Sequence, residues 1–560
     1  MSVKFISQFK DHNWFCLTLI LLVSFLMMLP ILVLGIPSGT DLTQHLQFAS
    51  TYQHSILSGD FFPGWAASDN QGFGSIGIRF YPPIAYYLLG LSQIVINDWY
   101  YTFWLNSFWW MFIGCLGMYL WAKEFLSPSL ASLAAIFYAF APYHRYQIYH
   151  LLLFAEFAAL GILPFCFYTI TKLIRGGKTI DIVLFSISFA LLILAHIPTT
   201  IIGSLGLGIY ALILLDWKNY KTILAKLFIA FSLSLSASAF HWVRLISEIN
   251  WVKHNLQTYS TDFLDFKQHF FLLSNQSKEV LPPIDNAIIL LILSLLPLVF
   301  YFFRNLRNDL NSKAENKFYL ALLVGGLFCL FMMTSASIII WDNLPVLQKI
   351  QFPWRWLTAA SLIGSLSLAV ALNNFIKDYQ QNRKLHINLG LLFFASIFFY
   401  FFSQTIAPSI ALTKTDFEKE IVGLKERKGC ECWQPLWSKI EAIKNTEQVR
   451  IQDRNYKISD WKAEQRTISI AQGKAQTIEI STFYYPHWKV LINNTPAEIS
   501  PGDSGLISFS VPAQESQVFL YFQEPPKNTI AFYFSAFTWL LILGYLVDFL
   551  RRLKSGKHFT

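Results

Sequence analysis

The sequence predicts a polytopic α-helical membrane protein of about twelve transmembrane helices, with an extracytoplasmic, mostly-β domain inserted before the last helix. Three observations predict it. The 560 residues are 54% hydrophobic and 14% charged, against roughly 25% charged in ordinary soluble domains, so most of the chain has lipid as its solvent. Apolar runs of spanning length recur along it. Between 408 and 527 the pattern changes to alternating apolar and polar residues broken by turn signals.

The runs fall near 14–36, 101–122, 129–142, 152–171, 180–196, 198–215, 222–242, 287–303, 318–340, 357–376, 387–407 and 529–549. The first follows Lys4 and Lys10 and is 23 residues long. A signal-peptide core has roughly 7–15 residues, so this run reads as an uncleaved anchor. Ile84 to Ile96 is apolar but only 13 residues long, against roughly 20 for a perpendicular span. Charge decides its placement. If 84–96 does not cross, twenty Lys and Arg share one side with the N-terminus, against eight in the opposite loops 37–100, 143–156, 243–286 and 341–356. The positive-inside bias then puts both termini in the cytoplasm and makes 84–96 interfacial or re-entrant. The net charge of +9 is scattered between apolar runs, as this bias requires. It is not gathered into a phosphate-binding face, so no nucleic-acid partner is expected.

Within 408–527, Gln465 to Ala471, Ala475 to Thr482, Trp488 to Ile492, Leu506 to Val511 and Val518 to Phe522 alternate, punctuated by Asn493-Asn494 and Pro501-Gly502-Asp503-Ser504-Gly505. That spacing predicts an antiparallel β-sandwich, preceded by a more helical stretch from Lys414 to Lys444. The chain divides into 1–407, a helical membrane domain with the outer loop 37–100; 408–527, the outer β-domain; and 528–560, the last helix and a basic cytoplasmic tail.

The outer loops hold the chemistry. A 23-residue span is about 34 Å long, so Asp41 emerges near the outer headgroups. If a helix starts there, Asp41 and His45 share a face. A carboxylate at that height serves as a base or as a ligand of a divalent cation; Asp41-Leu-Thr-Gln44 also fits a helix N-cap with Gln at the third position. Glu156 lies in the apolar run after Arg145 and His150, where an ionisable group is a functional candidate; a structural pairing with Arg145 is the plain alternative. His196 reads as a hydrogen-bonded helix terminus. Arg79 and Arg355, in Gly-Ile-Arg-Phe-Tyr and Pro-Trp-Arg-Trp, run against the orientation bias, and guanidinium forks suit phosphate. With Arg145 they are the candidate lipid-phosphate ligands. Cys430 and Cys432 flank Glu431 with no third metal ligand in view and read as ordinary thiols; Cys16, Cys115, Cys166 and Cys329 lie in apolar runs. The absence of a G-x-x-x-x-G-K-[ST] loop argues against an ATP-driven pump.

Gly39-Thr-Asp41-Leu-Thr-Gln-His45, Ser58-Gly-Asp60-Phe-Phe-Pro63, Tyr81-Pro-Pro83-Ile-Ala-Tyr86-Tyr87, Ala155-Glu156-Phe157, Phe352-Pro-Trp-Arg355 and Tyr484-Tyr-Pro-His-Trp488-Lys together resemble a bacterial membrane family labelled 6-pyruvoyl-tetrahydropterin synthase-related. That family in turn resembles GT-C-type glycosyltransferases. The resemblance implies a GT-C-like fold, a polyprenyl-phosphate-linked sugar as donor and a glycan or lipid acceptor on the outer face. It implies Asp41 as base or metal ligand and Glu156 as the second acid, with His45 assisting. It also implies an interfacial helix in the first outer loop. The first loop has one Asp before His45 and no Asp-x-Asp, which leaves a divalent cation open. Two other readings stay open on sequence: a flippase or transporter of a lipid-linked substrate, and a non-catalytic membrane scaffold.

Overall fold

The computed structural model describes residues 13–255, 265–271, 282–305, 314–380 and 411–554; the apolar run 387–407 lies outside the described residues. Among them, eight helices are long and apolar enough to cross a membrane. They are α1 (Asn13–Leu34), α6 (Phe154–Arg175), α8 (Ile197–Leu214), α9 (Tyr220–Ala237), α11 (Pro282–Asn305), α12 (Ala314–Met333), α13 (Leu357–Gln380) and α15 (Pro526–Lys554). Between them stand α2 (Leu42–Leu57), α3 (Ile84–Ile96), α4 (Trp99–Lys123), α5 (Pro128–Ala139), α7 (Thr179–Ala195), α10 (Ala239–Glu248) and α14 (Lys414–Gly423). The outward faces are apolar: Leu22, Phe228, Tyr533 and Leu540 are all more than half exposed, which suits helices surrounded by lipid.

The 25-residue α4 is capped by Asp98, whose Oδ1 accepts the Tyr100 and Tyr101 N–H groups at 3.0 and 3.2 Å. It crosses α6 where two glycines meet; a Cβ on Gly114 would stand 3.2 Å from Gly161 Cα. Small residues at a crossing let two backbones close on each other, the usual substitute for hydrophobic drive inside lipid. Pro164 interrupts α6 and cannot donate to Leu160 O. The Tyr138 hydroxyl does so instead at 2.8 Å. At 13 residues, α3 is about 20 Å long, shorter than the hydrocarbon core, and it packs along α2.

The polar segment forms two antiparallel sheets. One has the order β3-β6-β10-β9 (Val449–Arg450, Gln476–Phe483, Leu506–Val511, Ser500–Pro501). The other has the order β4-β5-β11-β7-β8 (Tyr456–Trp461, Gln465–Ile470, Ser516–Phe522, Trp488–Ile492, Thr495–Ala497). Alternate residues of β5, β7 and β11 are buried, as the period-two pattern requires. Asn493 and Asn494 both take positive φ in the β7–β8 turn. The core of the two sheets also takes in Trp65, Phe73, Ile76 and Phe80 from the first outer loop. That loop reads in sequence as an appendage of the helical part, yet here it fills the β core.

A last pairing fixes the entry to that loop. β1 (Ile36–Pro37) runs antiparallel to β2 (Ala411–Leu412). Gly35 turns into it at φ +122°, where a Cβ would meet Leu412 O at 2.3 Å, so only glycine fits.

Candidate functional site

Asp41 stands at the N-cap position of α2, but its side chain makes no capping hydrogen bond. The expected cap is therefore absent. The carboxylate is half-buried and has no hydrogen-bond or ion-pair partner among the described residues. Two turns of chain hold it in place. Gly39 lies so close to Leu151 and Leu152 that a Cβ would come within 2.6 Å of them. Leu152 takes φ +57° and turns the chain into α6, so that the Phe154 N–H donates to His45 Nε2 at 3.2 Å. The ring proton is thus assigned to Nδ1, which donates to the Tyr86 hydroxyl at 2.6 Å. Burial pushes the His45 pKa down to about 4, against a raising effect of Asp41. His45 is neutral with both nitrogens engaged: it joins α2, α3 and α6 rather than waiting as a base.

Glu156, one turn into α6, is 2% exposed. Its Oε1 accepts from the Tyr143 hydroxyl at 2.5 Å and from Thr358 Oγ1 at 3.3 Å. Its Oε2 lies 3.3 Å from Arg355 Nε. The partner of Glu156 is therefore Arg355, from the turn before α13, and not Arg145 as the sequence alternative had it. Arg355 Nη1 donates to Ile350 O at 2.7 Å and to Gln351 Oε1 at 3.1 Å; Nη2 has no partner among the described residues. The Phe352 and Trp354 rings flank the guanidinium at 5.1 and 5.9 Å. Tyr81 lies near both acids. Burial raises its pKa, and the charges of Asp41, Arg355 and Glu156 all act on it. Asp41, Glu156 and Arg355 are thus near enough to Tyr81 for their charges to act on it, and the Phe352 and Trp354 rings lie over the guanidinium. His196 is near Arg355 and His45; its Nδ1 bonds the Thr199 hydroxyl at 2.8 Å, the helix-terminus role expected of it. Trp433 forms the rim, stacked on His254 at 4.8 Å and edge-on to Tyr81 at 5.4 Å.

Arg145 and His150 lie on the turns that lead into α6. Arg145 is 6% exposed, and burial pulls its pKa down to about 10. His150 stacks on Tyr146 at 5.8 Å.

Arg79 has a different role from the one its sequence suggests. It is wholly buried, and all five N–H donors are taken. Nε and Nη2 hold Glu248 at 2.7 and 2.8 Å, Nη1 and Nη2 hold Glu524 at 2.5 and 3.0 Å, and Nη1 also reaches Gly64 O at 3.1 Å. A guanidinium so engaged has nothing left for a phosphate. Arg244 adds a 3.0 Å pair to Glu524. Tyr485, His487 and Asn528 bond Glu248 at 2.6, 2.9 and 2.7 Å. Burial pushes Glu524 up, but Arg244 and Arg79 outweigh it and hold the carboxyl down at about 2. This network fastens the first outer loop, α10, the β region and the start of α15 together.

A metal finds little purchase in either place. Glu248, His487 and Glu524 bring three ligand atoms within 4.8 Å of one another, but the Arg79 guanidinium already bridges both carboxylates. At Asp41 the donor set among the described residues is one carboxylate: His45 is engaged at both nitrogens and Glu156 is held by Arg355. Cys430 and Cys432, expected as thiols, form a disulfide.

Sequence reasoning did not pick out Tyr143, Thr358, Glu248, Glu524 or Arg244. Glu248 and Glu524 sit at the ends of apolar runs, where a lone acid was a legible signal; the other three carry none.

A family model for the 6-pyruvoyl-tetrahydropterin synthase related domain, described as a membrane protein, matches residues 78–403. No curated protein sequence matches the chain. Among solved structures, the chain is similar to the Archaeoglobus fulgidus oligosaccharyltransferase in its apo form, at 14% identity and a TM-score of 0.43, over 76% of this chain and 57% of that one. It is also similar to the same protein tethered with an acceptor peptide, at 14% identity and a TM-score of 0.41, over 76% and 56%. A third is ArnT from Cupriavidus metallidurans in the apo state, at 13% identity and a TM-score of 0.26, over 64% and 76%. The chain spans a little over half the length of the oligosaccharyltransferase, and likeness at these scores carries no argument about activity. The family match covers more than half of the sequence and agrees with the apolar helices: the chain belongs to the family of 6-pyruvoyl-tetrahydropterin synthase related membrane proteins.

Proposed function

We propose that the chain is an integral membrane glycosyltransferase that moves a sugar from a polyprenyl-phosphate carrier to an envelope glycan or lipid on the outer face. The observation that carries this reading is an acid and a guanidinium whose charges both act on Tyr81. Asp41 is a half-buried carboxylate with no partner among the described residues, and Arg355 has an uncommitted Nη2 donor edge. A base and an anion-stabilising cation are what inverting transfer needs.

In this reading the acceptor hydroxyl gives its proton to Asp41 as its oxygen attacks the anomeric carbon. The bond from that carbon to the carrier phosphate breaks, and the phosphate leaves with its electron pair. Arg355 neutralises the charge that develops there, where an aromatic, low-dielectric surround strengthens the attraction. Glu156, Tyr143 and Thr358 are positioning residues that fix the guanidinium, and His45 fixes the start of α2 against α6. Among the described residues Asp41 is the one free donor, and the transfer is written here with Asp41 as base. Both termini are cytoplasmic in this reading, and 408–527 with the 37–100 loop faces out. The Cys430–Cys432 disulfide supports that side, because disulfides persist in oxidising compartments.

The test is Asp41→Asn in cells, with the envelope glycolipids and glycans compared by mass spectrometry against wild type at equal protein level. Loss of one sugar addition is expected. An unchanged glycan and lipid profile overturns the proposal.

A further inference from the structure

The Cys430–Cys432 bridge joins residues two apart. Stabilisation by a cross-link grows with the length of the loop it closes, so this bond adds little to the stability of the whole fold. What it does fix is the local backbone of 429–432, and that backbone is the hinge of the site's rim. On its N-terminal side, Gln71 Nε2 donates to Glu426 O at 2.8 Å, Arg427 Nη1 to Thr43 Oγ1 at 3.1 Å, and the Gly429 N–H to Asn70 Oδ1 at 3.1 Å. The Cys430 N–H reaches Gln44 Oε1 at 3.4 Å, on the turn of α2 that follows Asp41. On the other side, Lys253 Nζ holds Glu431 at 2.6 Å, and Gln434 Nε2 holds Asn70 at 3.0 Å. Trp433 between them lies on His254 and Tyr81. Cys430 is exposed and Cys432 half-buried, whereas the other four cysteines are buried.

We propose that Cys430–Cys432 is a thiol–disulfide exchange site, opened by an external dithiol, whose state decides whether Trp433 and its segment stay docked on Tyr81 and His254. A thiolate of the dithiol attacks the exposed Cys430 Sγ. The S–S bond breaks and Cys432 leaves as a thiolate, which takes up a proton. The second thiol of the reductant then closes on the first and releases Cys430. Two electrons pass to the bridge, and the dithiol departs as its own disulfide. With the bridge open, the backbone of 429–432 regains its freedom, and the hydrogen bonds on either side no longer act as one set. The segment then opens locally while the helices and sheets stay folded. The inference does not rest on the transferase reading, because its readout is structural.

The test uses the full chain in lipid nanodiscs with dithiothreitol as the probe. Free thiols are trapped with N-ethylmaleimide and mapped by mass spectrometry. Trypsin cleavage after Lys425, Arg427 and Lys428 is timed in parallel. Reduction is expected to expose Cys430 and Cys432 to the reagent while Cys16, Cys115, Cys166 and Cys329 stay unmodified, and to speed that cleavage by about tenfold or more. The double variant C430S/C432S should cleave at the fast rate without reductant and ignore it. The proposal is overturned if the two thiols are already free, if the bridge resists dithiothreitol until the protein is denatured, or if reduction of the wild type leaves cleavage unchanged.

Discussion

Asp41 begins a helix without capping it, and Arg355 holds a buried acid with only part of its fork. Asp41 is a carboxylate, and the Nη2 of Arg355 a donor, with no partner among the described residues. Arg355→Lys retains the charge but loses the planar donors. Transfer is expected to drop by about 10–100-fold with little change in unfolding temperature, because one charge-assisted contact in the transition state is worth a few kcal/mol. Equal activity in the lysine variant would separate Arg355 from the chemistry. Arg79 gives the opposite expectation. Arg79→Met strands Glu248 and Glu524, and removing one partner of a buried pair costs about 3–5 kcal/mol. The variant should unfold at clearly lower temperature or fail to accumulate; a variant as stable as wild type would contradict the network's structural role.

The elements around that network carry opposing titrations. Burial raises the Asp69 carboxyl to about 7, and burial with nearby Asp60 raises Glu464 to about 7. Both values lie above those of the unfolded chain, so the ionised forms cost stability at high pH, and the cost fades as pH falls through about 7. Glu524 and Glu248 are held below their ordinary values. Their contribution is present above about 4.5 and is lost as pH falls toward about 2. On these carboxyls alone, stability is higher between roughly pH 4.5 and 7 than above it. The buried His45, held neutral with a pKa of about 4, opposes this below 6.5. The share of Glu464 is read by comparing thermal unfolding of wild type and Glu464→Gln in detergent: removing the acid should raise the midpoint more at pH 8 than at pH 5.5, by roughly 3 °C. An equal shift at both pH values would rule this out.

At the scale of the whole molecule, the helices and the sheets were readable because each obeys one period. Among the described residues the apolar runs became helices, and Gln465–Ile470, Trp488–Ile492 and Leu506–Val511 became strands at the expected places. Asp41, Glu156 and Arg355 were also readable singly, as charges where lipid makes charge expensive. Their partners were not. Glu156 finds an arginine 199 residues away, across two helices that no local pattern relates. Arg79 finds Glu524 because the 65–80 loop enters the β core with Trp65, Phe73 and Phe80, a packing that no local pattern announces. The division at 407 and 408 likewise hides that β1, at residue 36, is paired with β2 at 412. The central claim is that Asp41 and Arg355 bracket the headgroup of a lipid phosphate. Cryo-electron microscopy of the full chain in nanodiscs with saturating polyprenyl monophosphate tests it most directly. The account predicts phosphate density within hydrogen-bond reach of Arg355 Nη2, in the space that Asp41 and Tyr81 line; phosphate bound on another face, with that space filled only by side chains, would contradict it.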